Sequence, residues 1–239
     1  MHRYFVEEKI ANSFVFNQEN LHHFKNVVKI KSGEQVMMIH NKTEYLVEVI
    51  KVTENLIETK IISQNKSKVK QGCRVNLVLG IIREQKWDFV LQKATELGVN
   101  KIIPVIFKRN VVKIEDKKVI SKLERWKRIC EDAAEQSHQV QIPQILPIVT
   151  KIEDLKKIDL CKTKLVAYES EKDENFKKYL IENLEEITLV VGPEGGFEKS
   201  EISWFEKNDY KIVSLGNRIL RAETAPLMFL SNIIFNYEM

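Results

Sequence analysis

The chain has 239 residues, 44% of them hydrophobic and 30% charged, with a net charge of only +4; this is ordinary globular material, long enough for one large domain or two modest ones. No apolar run approaches the roughly 20 residues that cross a bilayer, and MHRYFVEEKI (1–10) lacks the apolar stretch of a signal peptide. Three cysteines, Cys73, Cys130 and Cys161, stand far apart with no CxxC pair, which argues against a disulfide framework and a zinc site and points to a soluble cytoplasmic chain without a metal.

The first 70 or so residues read as β. LHHFKNVVKI (21–30) is the one plausible helix there. EQVMMIH (34–40) and EYLVEVIKV (44–52) flank Asn41, Lys42 and Thr43, a hairpin-sized gap with a turn-forming asparagine. NLIETKIIS (55–63) adds a strand, and short strands at this spacing predict a small barrel. SQNKSKVKQG (63–72) has no apolar periodicity and reads as a linker, which places domains at 1–70 and 73–239.

After Gly72 the rhythm changes. RVNLVLGII (74–82) is a buried strand, and KWDFVLQKATELG (86–98) a helix with Trp87, Val90, Leu91, Ala94 and Leu97 at helical spacing and Gly98 as its stop. KIIPVIF (101–107) is a strand. From Lys101 to Arg128 ten basic residues face only Glu115, Asp116 and Glu124, a local net of +7. Such a field suits a polyanion such as RNA, or else marks a solvated helix face. SKLERWKRICEDAAEQS (121–137) opens with Ser121 and Glu124 at capping-box spacing. There follow a strand KLVAYES (164–170), a helix within 174–184, a strand ITLVVG (187–192), a helix near 199–207 and a strand KIVSLG (211–216). A last helix starts near Thr224, a candidate N-cap, with Pro226 in its first turn. Alternating strand and helix predict an α/β domain, a mostly parallel sheet with helices on both faces.

VVGPEGGF (190–197) puts three of the chain's 8 glycines within five positions after a strand. Open α/β sheets bind ligands at the carboxyl ends of their strands, where glycine lets a ligand approach bare backbone. A tight strand-to-helix connection would need the same residues. SLGNRILRAETAP (214–226) again ends a strand in glycine and then sets Arg218, Arg221, Glu223 and Thr224 before an apolar helix. Two adjacent strand ends of this kind would form one concave site; alternatively the arginines are surface partners of Glu223.

GPEGGFEKSEI followed by LGNRILRAETA resembles the RsmE-type family of 16S rRNA (uracil-N3)-methyltransferases, within the SPOUT class. The resemblance continues in REQKWDFVLQKATELGVNKIIPV (83–105), RWKRICEDAAEQS (125–137) and HRYFV (2–6), so it spans nearly the whole chain. The family pattern has an arginine where this chain has Gln139, a serine or threonine cap where it has Glu198, and VLR where it has VVK (27–29). The resemblance implies a small PUA-like β-barrel domain that binds RNA, then a SPOUT domain whose C-terminal chain threads a trefoil knot. It implies a homodimer that uses S-adenosylmethionine and acts on 16S rRNA of the small ribosomal subunit.

Carried onto this chain, the cofactor would lie against Val191, Gly192, Pro193, Glu194, Gly195, Gly196, Leu215, Gly216, Ile219, Leu220 and Ala225. RNA would meet Arg3, Lys29, Lys108, Arg109, Arg125 and Arg128. Methylating uracil at N3 requires loss of a weakly acidic proton, and the charge spreads to two carbonyl oxygens that a positioned arginine can stabilise. Arg221 is the first candidate and Arg218 the second; Glu194 and Glu223 are the candidate proton acceptors, with release to water as the alternative. Rival readings are a SPOUT methyltransferase with another RNA target and a non-catalytic RNA-binding or ribosome-assembly protein.

Overall fold

The computed structural model describes residues 1–54, 56–66 and 72–239. Residues 67–71 of the expected linker, and with them the boundary expected near residue 70, lie outside these. The chain divides into two compact units, Met1–Val69 with Ala134–Gln141, and Lys70–Ala133 with Ile142–Met239.

In the first unit β1 (Arg3–Phe5), β2 (Glu8–Ile10) and β3 (Ser13–Val15) precede a short helix α1 (Gln18–His22), which runs on as a π-helical turn at His23–Val27. Three longer strands follow, β4 (Gln35–His40), β5 (Thr43–Val52) and β6 (Leu56–Lys66). The sheet order is β1-β4-β5-β6-β3-β2. Its two edges are consecutive strands joined only by Val6 and Glu7, a reach of about 7 Å at most per two residues, so the sheet must curl nearly closed. Tyr4, Phe16 and Phe24 fill it, their ring centroids 5.3 to 5.5 Å apart. His40 pairs with Thr43, and Asn41 and Lys42 both have positive φ (48° and 60°), the two-residue turn whose twist matches a hairpin. The helix expected at 21–30 starts earlier, where the Asn17 side chain accepts the Asn20 N–H at 2.7 Å. It stops short because Lys29 turns to positive φ.

The second unit is a six-stranded parallel sheet, β7 (Arg74–Gly80), β8 (Lys101–Val105), β9 (Gln144–Ile145), β10 (Lys164–Ala167), β11 (Glu186–Val191) and β12 (Lys211–Val213), in the order β12-β10-β11-β7-β8-β9. Alternate residues serve opposite faces. Leu77, Leu79, Leu165 and Leu189 pack with α2 (Glu84–Glu96), α3 (Val119–Gln136) and α5 (Ala225–Tyr237). Val78, Val166 and Val190 pack with α4 (Lys199–Lys207) and the 152–160 segment. That is the pattern of a sheet covered on both sides.

Three local expectations need correction. Only a 3-10 turn (Phe176–Tyr179) forms within 174–184. The Glu174 carbonyl accepts the Ser214 N–H and the Phe176 N–H donates to the Ser214 carbonyl, just beyond β12, and Phe176 is buried against Phe229, so edge pairing overrides helix propensity. Ser121 does not cap α3, which begins at Val119; its hydroxyl donates to the Lys118 carbonyl instead. Thr224 precedes α5 without a side-chain cap bond. The thiols of Cys73 and Cys130 are buried, which pushes them up to about 12 and about 11. No helix among the described residues is long and apolar enough to cross a membrane.

Candidate active site

β10 lies between β11 and β12, so three neighbouring strands deliver their carboxyl ends to one place. Beyond them the chain forms a cavity of about 790 Å³, lined by 191–197 after β11, 214–223 after β12, and Ala167, Tyr168, Glu169, Glu171 and Lys172 after β10. That volume is in the range of small-molecule sites. Lys86 of α2 and Ala225 of α5 complete the lining. Every residue expected to touch a cofactor borders this cavity, as do Arg218, Arg221, Glu194 and Glu223.

The glycines are needed where they stand. Gly196 closes a turn with its N–H on the Pro193 carbonyl at 2.9 Å, and takes φ +67°, a conformation strained for other residues. A Cβ there would lie 3.1 Å from Glu169 Oε1, and one at Gly195 would lie 2.7 Å from the Arg109 carbonyl. Gly216 takes φ +123° with open space beside it. Glu198 starts α4 in a capping box with Glu201, its own N–H donating to Glu201 Oε2 at 2.8 Å. Glu201 is 3% exposed, and its other oxygen accepts the Lys108 N–H at 2.8 Å, so a buried carboxylate ties the 107–110 loop to the helix start.

The charged groups differ sharply in how they are engaged. Glu223 is 14% exposed and pairs with Lys86 Nζ at 3.2 Å, with Arg221 further off at 3.9 Å. Burial alone would raise its carboxyl, but hydrogen bonds from its own backbone and from Lys86 outweigh that and hold it below the ordinary carboxylate range. Glu194 is exposed and accepts the Arg83 N–H at 3.3 Å. Arg218 and Arg221 stand exposed on the loop above the cavity, Arg221 at 80%.

The residues expected to meet RNA are scattered in state. Arg3 is 7% exposed, bound to Glu44 at 2.6 Å, with the carbonyls of His138 and Gln139 within 3.5 Å; it braces the first unit and offers no surface charge. Lys29 is exposed. Lys108 bonds Ser200 at 2.9 Å, and Arg109 bonds Glu198 at 2.7 Å. Arg125 grips Asp88 with both nitrogens, at 2.7 and 2.5 Å, and Glu84 sits 3.3 Å away. Arg128 is an exposed side chain of α3. Acidic residues of α2 therefore offset part of the +7 stretch. Among the described residues no cluster of three His, Cys, Asp or Glu side chains could hold a metal ion.

Sequence reasoning missed Lys86, Glu169 and Gly80. Lys86 was hidden because its partner lies 137 positions away. Glu169 could have been found, since it ends a strand on the ligand-binding side of an open sheet. Gly80 ends β7 and lies against the Pro193 turn.

Two known families match this chain: an RNA methyltransferase domain over residues 69–234 and an RNA methyltransferase PUA domain over residues 16–62. The chain is 35% identical to the ribosomal RNA small subunit methyltransferase E of Mesomycoplasma hyopneumoniae, covering 98% of this chain and 99% of that one. It is 32% identical to the protein of the same name from Bacillus subtilis, covering 100% and 98%. Among solved structures, the Neisseria gonorrhoeae ribosomal RNA small subunit methyltransferase E bound to S-adenosyl methionine superposes with a TM-score of 0.84 at 28% identity, over 98% of this chain and 97% of that one.

Proposed function

Because the chain belongs to the RNA methyltransferase family that includes the small-subunit ribosomal RNA methyltransferase E proteins, we propose that it transfers the methyl group of S-adenosylmethionine to N3 of a uridine in 16S rRNA of the small ribosomal subunit. The observation that carries the reading is the cavity between two glycine turns, at the ends of β11 and β12 on either side of β10. Backbone at 191–196 and 215–220 would hold the adenosine and methionine parts; a Cβ on Gly195 would press on the Arg109 carbonyl and one on Gly196 on the Glu169 carboxylate, so this turn needs bare backbone to keep its shape. S-adenosylmethionine supplies an electrophilic methyl group on a sulfonium.

Arg221 borders the cavity with its side chain exposed and Glu223 no nearer than 3.9 Å, so its guanidinium is available to the carbonyl oxygens of uracil as N3 loses its proton. Arg218 is the second such donor. Glu223 is a poor base, being paired with Lys86 and held below its ordinary range, and its work is to fix the loop that carries Arg221. Glu194 stands exposed and accepts the Arg83 N–H at 3.3 Å, and release of the N3 proton directly to solvent needs neither carboxylate. Splayed single-stranded RNA would reach the site guided by exposed Lys29, Lys108, Arg109, Arg125 and Arg128; Arg3 leaves that list because it is buried. The threaded C-terminal chain and the homodimer belong to the same reading.

Lys86→Met tests the role given to Glu223. Removing the cation leaves the mostly buried Glu223 carboxylate with only its backbone hydrogen bond and the more distant Arg221, at a cost of roughly 1 kcal/mol because Lys86 itself is partly exposed, so S-adenosylmethionine should bind several-fold more weakly. The sign of the pH effect follows. A carboxyl held low stabilises the loop above its unfolded value and loses that stabilisation as pH falls through its folded value. Without Lys86 the folded value rises, and a titration of binding against pH should show the acid limb moved upward.

The reaction itself is tested by giving labelled methyl donor to small ribosomal subunits that lack the modification, then mapping the product by mass spectrometry. N3-methyluridine at one position of 16S rRNA is expected. Label on another base, equal labelling of free uridine, or RNA binding without any transfer would overturn it.

A further inference from the structure

Four carboxylates border the cavity: Glu169, Glu171, Glu194 and Glu223. Three are engaged. Glu171 accepts the N–H groups of Asp173 and Glu174 at 2.8 and 2.9 Å, Glu194 accepts that of Arg83, and Glu223 pairs with Lys86. Among the described residues only Glu169 of the four makes neither a hydrogen bond nor an ion pair. The guanidinium whose field it feels, Arg109, gives its hydrogen bond to Glu198.

Glu169 follows the carboxyl end of β10, the strand between the two that carry the glycine turns. Its Oε1 lies 3.1 Å from where a Gly196 Cβ would be, so the carboxylate rests directly on the turn that would hold the methyl donor. Resting on the proposed cofactor reading, we infer that Glu169 is a specificity-determining residue that recognises the positively charged methionine end of S-adenosylmethionine. That end carries a sulfonium and an ammonium against one carboxylate, a net positive charge, whereas adenosine is neutral, so an uncommitted carboxylate placed beside the two cationic groups selects the charged donor over uncharged adenosine compounds. A carboxylate given to that cation is also withdrawn from proton abstraction, in keeping with release of the N3 proton to solvent.

The test is calorimetry with two ligands: S-adenosylmethionine, and 5′-methylthioadenosine, which keeps the adenosine and sulfur but neither positive charge. Glu169→Gln, neutral and of the same shape, should weaken S-adenosylmethionine about tenfold, as loss of one charge-assisted contact does, and leave 5′-methylthioadenosine unchanged. Glu169→Asp, which keeps the charge, should recover part of the loss. Unchanged S-adenosylmethionine affinity in Glu169→Gln would overturn the inference, as would equal weakening of both ligands, which would mean a merely structural role. If the unaltered chain bound neither compound, the cofactor reading itself would fail, an outcome distinct from either result in the variants.

Discussion

Replacing Arg221 with alanine should leave S-adenosylmethionine bound at its original affinity while methyl transfer falls by about two to three powers of ten. The two effects separate because of where Arg221 stands. Its side chain is 80% exposed and its nearest acidic partner is 3.9 Å away, so truncation removes no strut and leaves no buried charge behind. The backbone at 215–220, which is given the cofactor, does not depend on the guanidinium. What is lost is a positioned donor for charge that develops on the uracil carbonyls, and one such donor is commonly worth about 3 kcal/mol. Arg221→Lys should recover only part of the rate, since an ammonium lacks the planar fork that can serve an oxygen from a fixed direction. Single-turnover kinetics beside calorimetry reads both quantities, and full transfer by the alanine variant would remove Arg221 from the mechanism.

A methyl group added at Gly80 should also have a large effect, for a different reason. Gly80 is the last residue of β7, and a Cβ there would press on the Pro193 nitrogen, lie 2.6 Å from Pro193 Cδ and 2.9 Å from the Gly192 carbonyl carbon. These neighbours are backbone and a ring, which cannot swing aside as the end of a long side chain can. Gly80→Ala must therefore displace the 192–196 turn, at a cost of about 1–3 kcal/mol of stability and more than tenfold in cofactor affinity. Gly98→Ala is the matched control. Gly98 ends α2 at φ +72° with nothing within 4 Å, so alanine strains the backbone there without touching the cavity. Thermal melts should fall in both variants, and cofactor binding only in the first. Equal binding in both would mean that the turn is not the cofactor's cradle.

Long periodic segments were legible from the sequence, and the reason is visible in the packing. β7, β10 and β11 are apolar on both faces because both faces are covered, and Trp87, Val90, Leu91 and Ala94 of α2 all reach the core at the spacing expected. The hairpin of β4 and β5 was legible from Asn41. Segments decided by distant partners were not. Phe176 reads as part of a helix until the pull of Ser214 and Phe229 is known, and Arg3 reads as a surface cation until Glu44, 41 positions on, is seen to hold it. The same holds in the site. The glycine turns and the two arginines announce themselves locally, whereas Lys86 acquires meaning only through Glu223 and Gly80 only through Pro193.

Diffraction from crystals of this chain grown with S-adenosylmethionine bears on the central claim most directly. The ligand should lie in the cavity with its adenosyl part against the backbone of 191–196 and 215–220 and its methyl group facing the side of Arg221. Density for the ligand elsewhere, or crystals that exclude it at saturating concentration while these turns stand open, would contradict the account.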